Sequence, residues 1–118
     1  MSESERSKIN FMAPAKWQAV KDALRKFSTS APFTLRIQEE HDEFIMERVH
    51  DDFVPKRLRL EYDALVPQIK WSCCDPQEHR GEIRFRIVGD SVIYIVNGKV
   101  TPLEEIAVVL SSCVAGSI

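Results

Sequence analysis

Apolar residues recur along this chain with two different periods, and the change of period marks its elements. Between residues 14 and 28 they return every three or four positions, as Trp17, Val20, Leu24 and Phe27. This spacing places them on one face of a helix. Pro14 suits a first helical turn, where its missing N–H is not needed. The pattern predicts a helix over 14–28 that follows a flexible lead-in over 1–12.

Strict alternation of apolar and polar residues replaces the helical spacing after Pro32. It runs through 33–38, 58–63, 68–74 and 82–87, and 91–96 is apolar on both faces. Such alternation is typical of antiparallel sheets with one solvated face. The segment 44–53 fits a strand or a helix, and a strand paired with 33–38 is favoured because the charged tip between them is short. We expect a loop over 75–80 and two-residue turns at Gly89-Asp90 and Asn97-Gly98.

A second helical stripe closes the chain, with Leu103, Ile106, Leu110 and Val114 on one face. Thr101 and Glu104 have the spacing of a capping box at the start of this helix. The predicted order is helix, about six strands and helix. Amphipathic helices and an amphipathic sheet bury their apolar sides against each other. The sequence therefore predicts one α+β domain over 13–118, a two-layer sandwich in which both helices pack on one face of an antiparallel meander.

Composition narrows the classes of protein that the chain can belong to. It has 118 residues, with 16 Lys and Arg against 18 Asp and Glu, which gives a net charge of −2. We expect neither nucleic acid nor membrane as a partner, because there is no basic balance and no long apolar run. The three cysteines are an odd number, which is unlike a disulfide framework. This favours reduced thiols and a cytoplasmic location.

No catalytic constellation is recognisable, so we expect no enzyme, no catalytic residues and no cofactor. The segment from Cys73 to His79 contains five potential metal ligands. However, the neighbouring Cys73 and Cys74 point to opposite faces of a strand, and a second pair of ligands at zinc spacing is missing. We therefore predict no metal site.

Two kinds of surface are candidates for binding. The polar side of the sheet carries five cations that could attract an anion: Arg36, Arg59, Lys70, Arg84 and Arg86. Cross-strand ion pairing is the simpler interpretation of these charges. Apolar residues off the main stripes, Ile93, Ile95, Val108 and Val109, are not obviously covered by one sheet and two helices. Exposed apolar surface usually marks an interface, so these four predict a homodimer and binding to a protein partner.

The layout resembles the frataxin architecture. The stretch from Gln68 to Leu110 is similar in rhythm: a strand with Trp71, a second strand, a Gly-Asp turn, a third strand and a Gly turn into the last helix. Frataxins carry an acidic ridge on their first helix, whereas the first helix here carries Lys16, Lys21, Arg25 and Lys26. The leading expectation is a small non-catalytic interaction domain, and the alternative is a metal- or anion-binding domain of frataxin-like layout.

Overall fold

The computed structural model describes residues 3–48, 56–75 and 77–115, which form two helices and seven strands. The elements are α1 (Glu3–Ser30), β1 (Leu35–Glu39), β2 (Glu43–Arg48), β3 (Arg57–Asp63), β4 (Gln68–Asp75), β5 (Gln77–Val88), β6 (Ser91–Val96), β7 (Lys99–Val100) and α2 (Leu103–Ala115). The strands lie side by side in chain order, and every neighbouring pair is antiparallel. This confirms the α+β meander, with β7 as a short strand beyond the expected six.

Both helices cover the apolar face of the sheet. In β3, the apolar Leu58, Leu60 and Tyr62 are buried, while the charged residues between them are more exposed. Helix α1 packs on β5 and on α2, and α2 packs on β2, β3 and β4. The fully buried side chains come from both layers: Val20, Leu24, Phe44, Met46, Leu58, Leu60, Ile69, Ile83, Ile106, Leu110 and Val114. Burying side chains of this size is worth roughly 1.5–3 kcal/mol each, before the entropy cost of folding.

The predicted start of the first helix is wrong. Helix α1 begins at Glu3, so the described part of the predicted lead-in is helical and Pro14 lies inside the helix. An interior proline removes one hydrogen bond from a helix. Here Ile9 and Ala13 extend the buried stripe of Trp17 by two further turns, with exposures of 5% and 0%. Burial of that longer stripe offsets the cost of the proline.

The predicted loop over 75–80 is also wrong from Gln77 onward, where β5 begins. Its polar residues continue the pairing with β4, in which Trp71 lies opposite Gly81 and Cys73 lies opposite His79. The Trp71 indole covers Gly81, and a Cβ atom at that position would lie 2.4 Å from Cζ2 of the indole. Glycine is therefore required at residue 81 by the close approach of a side chain.

The remaining predicted boundaries agree with the structure to within a few residues. The ambiguous segment 44–53 is a strand as far as Arg48, where β2 ends, and the rest of it lies outside the described residues. The turns at Gly89-Asp90 and Asn97-Gly98 are present, with positive φ at Gly89, Asn97 and Gly98. At the start of α2, the Thr101 N–H donates to the Tyr94 carbonyl at 3.0 Å, which differs from the expected capping box.

Candidate functional site

The four predicted interface residues lie on two opposite sides of the domain. Ile93 and Ile95 are on the outer face of β6, which the helices do not cover, and Ile95 is only 7% exposed. Val108 and Val109 lie on the solvent side of α2, where they are 68% and 47% exposed. Since α2 packs on the other face of the sheet, these two pairs do not combine into one surface. Only the valines offer substantial apolar area to a partner.

The five predicted anion-binding residues all lie on the outer face of the sheet, mixed with carboxylates. Arg36 lies 4.0 Å from Glu47, Arg59 lies 2.6 Å from Glu43, and Arg84 lies 3.0 Å from Glu82. The hydrogen bond to Glu43 raises the pKa of Arg59. Three of the five cations on this face thus form exposed ion pairs, each of which stabilises the fold by only about 0–1 kcal/mol. Lys70 and Arg86 have no ion pair among the described residues.

The structure brings one of the predicted cations, Arg84, to a cavity that the sequence did not indicate. This cavity has a volume of about 440 Å³ and lies between the N-terminal part of α1, the β3–β4 turn and β5. We call it the turn groove, and its lining residues are Arg6, Ile9, Asn10, Leu65, Val66, Pro67, Gln68, Arg84 and Phe85. Its volume falls within the range of known ligand sites, roughly 300–1,000 Å³.

The apolar wall of the turn groove is a tightly held turn. Asp63 ends β3, and its Oδ1 accepts hydrogen bonds from the Leu65 N–H at 3.0 Å and the Val66 N–H at 3.3 Å. These bonds, the Val66 bond foremost, lower the pKa of Asp63. Leu65 and Val66 are nevertheless 94% and 59% exposed. Two large apolar side chains are therefore presented to solvent by a backbone that is already ordered.

The opposite wall is α1, which is anchored to the sheet just beyond the groove. The Tyr94 hydroxyl donates to the Lys16 carbonyl at 3.2 Å, and the Trp17 Nε1–H donates to the His41 carbonyl at 3.2 Å. The Trp17 and Tyr62 rings are stacked, with their centroids 5.8 Å apart. Burial raises the pKa of Tyr94 to about 12. These contacts fix the helix against the sheet.

The turn groove differs from three other cavities in the described part of the chain in the charge of its lining residues. Two arginines, Arg6 and Arg84, line it, and none of its lining residues is acidic. The other three are lined by at least one carboxylate each: Glu61 and Glu82, Glu3 and Asp90, or Glu105. Arg6 forms no ion pair with any residue that the structure describes. The turn groove thus combines apolar walls with two arginines, of which Arg84 is paired with Glu82 and Arg6 has no ion pair among the described residues.

Sequence reasoning found Arg84 in this site and missed its neighbours. Leu65, Val66 and Pro67 lie between two alternating segments of the sequence, and three apolar residues are an unusual composition for a turn. Arg6 and Asn10 fell in the predicted lead-in. Their position beside the turn depends on the length and direction of α1, which local periodicity does not report.

Searches for metal sites, membrane spans and known relatives add no further site. Among the described residues, no three His, Cys, Asp or Glu side chains lie together as metal ligands would. Neither described helix is long and apolar enough to cross a bilayer. The chain shows no significant match to a protein-family model, a curated protein or a solved structure.

Proposed function

We propose that this chain is a non-catalytic interaction domain that binds an extended segment of a partner protein in the turn groove. The observation that carries the proposal is the 94% exposed Leu65, held with Val66 on a turn that Asp63 fixes. Contiguous exposed apolar residues on a folded domain usually mark an interaction surface.

Energy and preorganisation both favour this surface. Burying a leucine under a partner is worth roughly 1.5–3 kcal/mol, and Val66 adds a contribution of the same kind. Ordering a loop at an interface normally reduces affinity, and a turn that is already ordered avoids much of this cost. The groove beside the turn gives a bound segment two walls instead of one.

The titratable groups that line the groove support binding and not catalysis. They are the two guanidinium groups of Arg6 and Arg84, and no His, Asp, Glu, Lys, Cys or Tyr among the described residues lines the groove. General acid–base catalysis needs a group that exchanges a proton near neutral pH.

We expect the domain to act in a reducing cytoplasm, since Cys73 and Cys113 are buried thiols.

The test is selection of peptides from a random phage-displayed library against the immobilised full chain. The affinities of recovered peptides are then measured by fluorescence anisotropy as synthetic, labelled copies. We expect L65S and V66S to weaken binding at least fivefold. The matched control is V100S, because Val100 is 54% exposed, close to the 59% of Val66, and does not line the groove. Equal losses in V66S and V100S, or no recovered peptide, would refute the proposal.

Self-association is a second candidate, and the exposed valines of α2 favour it. In an antiparallel two-fold pair of α2 helices, Val108 would face Val109 of the second copy, and Glu105 would face Ser112. All four of these side chains are exposed. Such a contact is small beside the ~800 Å² per partner of a standard interface, so we propose a weak, concentration-dependent dimer.

Sedimentation equilibrium over a wide range of protein concentration tests the dimer. The wild-type chain should shift from monomer toward dimer, and V108K should remain monomeric because lysine would be placed against the apolar patch. V88K is the control, since Val88 is 56% exposed and lies on the outer face of the sheet. A wild-type chain that stays monomeric throughout would rule out this mode of association.

A further inference from the structure

We infer that the turn groove selects a peptide segment in which an acidic side chain lies next to an aliphatic or aromatic one. The inference rests on the proposed function and specifies the chemistry of the partner. It follows from the juxtaposition of two arginines with an apolar cleft, which the structure forms from three separate parts of the chain.

The acidic preference comes from the charges at the groove. Arg6 reaches it from α1 and has no ion-pair partner among the described residues. Arg84 reaches it from β5, and its only carboxylate contact within the described residues is the exposed Glu82 on the same strand. A carboxylate entering the groove would be attracted by Arg6 and would share Arg84 with Glu82, and none of the described lining residues is acidic.

The apolar preference comes from the depth of the cleft. Ile9 and Phe85 line its inner part and are 5% and 7% exposed, while Leu65 and Val66 stand at its edge. An aliphatic or aromatic side chain seated in the cleft would contact mainly Leu65 and Val66, and the small exposed part of Ile9 and Phe85 would lie beneath it. An acidic residue alone would leave the apolar walls exposed to water, and an apolar residue alone would leave Arg6 without a counter-charge. The two side-chain types therefore have to occur together.

A backbone feature of α1 suits a peptide ligand. Asn10 lines the groove, and its carbonyl has lost its usual helical donor, because the residue four positions later is Pro14. An N–H group of an extended peptide is a suitable donor for a carbonyl of this kind. A lipid bilayer has no such donor in its apolar region. We therefore assign the groove to a peptide.

The peptide selection described above also tests this inference through the composition of the recovered peptides. We expect Asp or Glu to be enriched directly beside Leu, Ile or Phe. Synthetic copies of the recovered peptides, with the acidic residue replaced by its amide, should bind about two- to fivefold more weakly, as expected for an exposed ion pair. Binding of the acidic peptide, but not of the amide form, should weaken with added salt.

Variants of the protein identify the responsible charges. R6Q and R84Q should each weaken the acidic peptide about two- to fivefold. R86Q is the matched control, because Arg86 lies two residues from Arg84 on the same face of β5 but does not line the groove. The charge reversal R6E should weaken the acidic peptide further and strengthen a copy carrying lysine in place of the acid.

The outcomes separate the two proposals. If L65S and V66S abolish binding but R6Q, R84Q and R86Q all bind like the wild type, the groove binds peptides and the acidic preference is wrong. If R86Q loses as much affinity as R84Q, the attraction is a diffuse property of the sheet face and the inference fails. Cosedimentation with vesicles of phosphatidylcholine and phosphatidylserine that depends on Leu65, with no peptide recovered, would overturn both proposals in favour of a membrane surface.

Discussion

Replacing Gly81 with alanine should destabilise the domain, against the usual trend for glycine in a strand. A Cβ atom at this position would lie 2.4, 2.5 and 2.6 Å from Cζ2, Cε2 and Nε1 of Trp71. Since ordinary carbon contacts are about 3.5–4.0 Å, the indole or the β4–β5 pair would have to move by about 1 Å.

Two opposing effects set the size of the change. Restricting the unfolded chain at a Gly-to-Ala substitution stabilises a protein by about 0.4–1 kcal/mol when the native site accepts the methyl group. Overpacking costs about 1–3 kcal/mol when neighbours must shift. The indole is a large, rigid ring packed against the core, so we expect the second effect to dominate. The predicted net loss of unfolding free energy for G81A is about 1–2 kcal/mol.

Urea denaturation followed by far-ultraviolet circular dichroism measures this loss without relying on Trp71 as the probe. The comparison also requires W71L and the double variant W71L/G81A, because leucine removes the ring that meets the new methyl group. In the W71L background, the alanine should be neutral or slightly stabilising. A G81A single variant as stable as the wild type would contradict the predicted packing and the β4–β5 register that places these residues opposite each other.

Three further predictions concern buried and hydrogen-bonded charges. The turn hydrogen bonds lower the pKa of Asp63. The stabilising effect of Asp63 should therefore be present above the usual aspartate pKa of ~3.9 and be lost as the pH falls through the lower pKa of the folded state. The Val66 amide resonance should titrate with that lower midpoint in the wild type and not in D63N. E39Q should cost about 1–3 kcal/mol in urea denaturation, because it removes the charged partner, at 3.0 Å, of a Lys21 that is only 5% exposed. K21M should cost less, because Glu39 keeps its ion pair with Arg25; equal losses would contradict the ion-pair explanation. The pKa of Tyr94 is raised to about 12. The stability that this group contributes should therefore be intact below its usual pKa of ~10 and should fall as the pH rises toward 12. Urea denaturation over this pH range should show the loss in the wild type and not in Y94F, and a tyrosinate absorbance titration should show that Y94F lacks the tyrosine with the raised pKa.

The sheet was the most predictable part of this fold, because alternating burial leaves a local trace. Leu58, Leu60 and Tyr62 each occupy the face that their spacing predicts. The sequence predicts too late a start for β5, because 77–80 contains no apolar residue to reveal the alternation. Its backbone pairs with β4 regardless of side-chain type, and polar pairing of that kind leaves no periodic signal.

The first helix shows how a strong local rule can mislead. Proline is common in the first turn of a helix and rare inside one, so Pro14 was interpreted as a start. The buried Ile9 keeps the spacing of the later stripe and was the available evidence for a longer helix. Weighing that spacing against the proline requires knowing that the sheet extends under both, which only the tertiary structure shows.

The turn groove could not have been predicted from the sequence because its parts are distant in the chain. Arg6, Leu65 and Arg84 meet only through the direction of α1 across the sheet and the strand register that puts Gln68 opposite Arg84. The sequence did indicate exposed apolar surface and arginines on the outer face. It did not indicate which of these would lie together.

The most direct test of the central claim is to titrate the isotope-labelled full chain with a selected acidic–apolar peptide and follow its amide resonances. We predict that the largest shifts occur at Arg6, Asn10, Leu65, Val66 and Arg84, with little change along β1 or at Val108. Shifts concentrated on α2 or β1, with the turn unaffected, would contradict the assignment of the turn groove as the binding site.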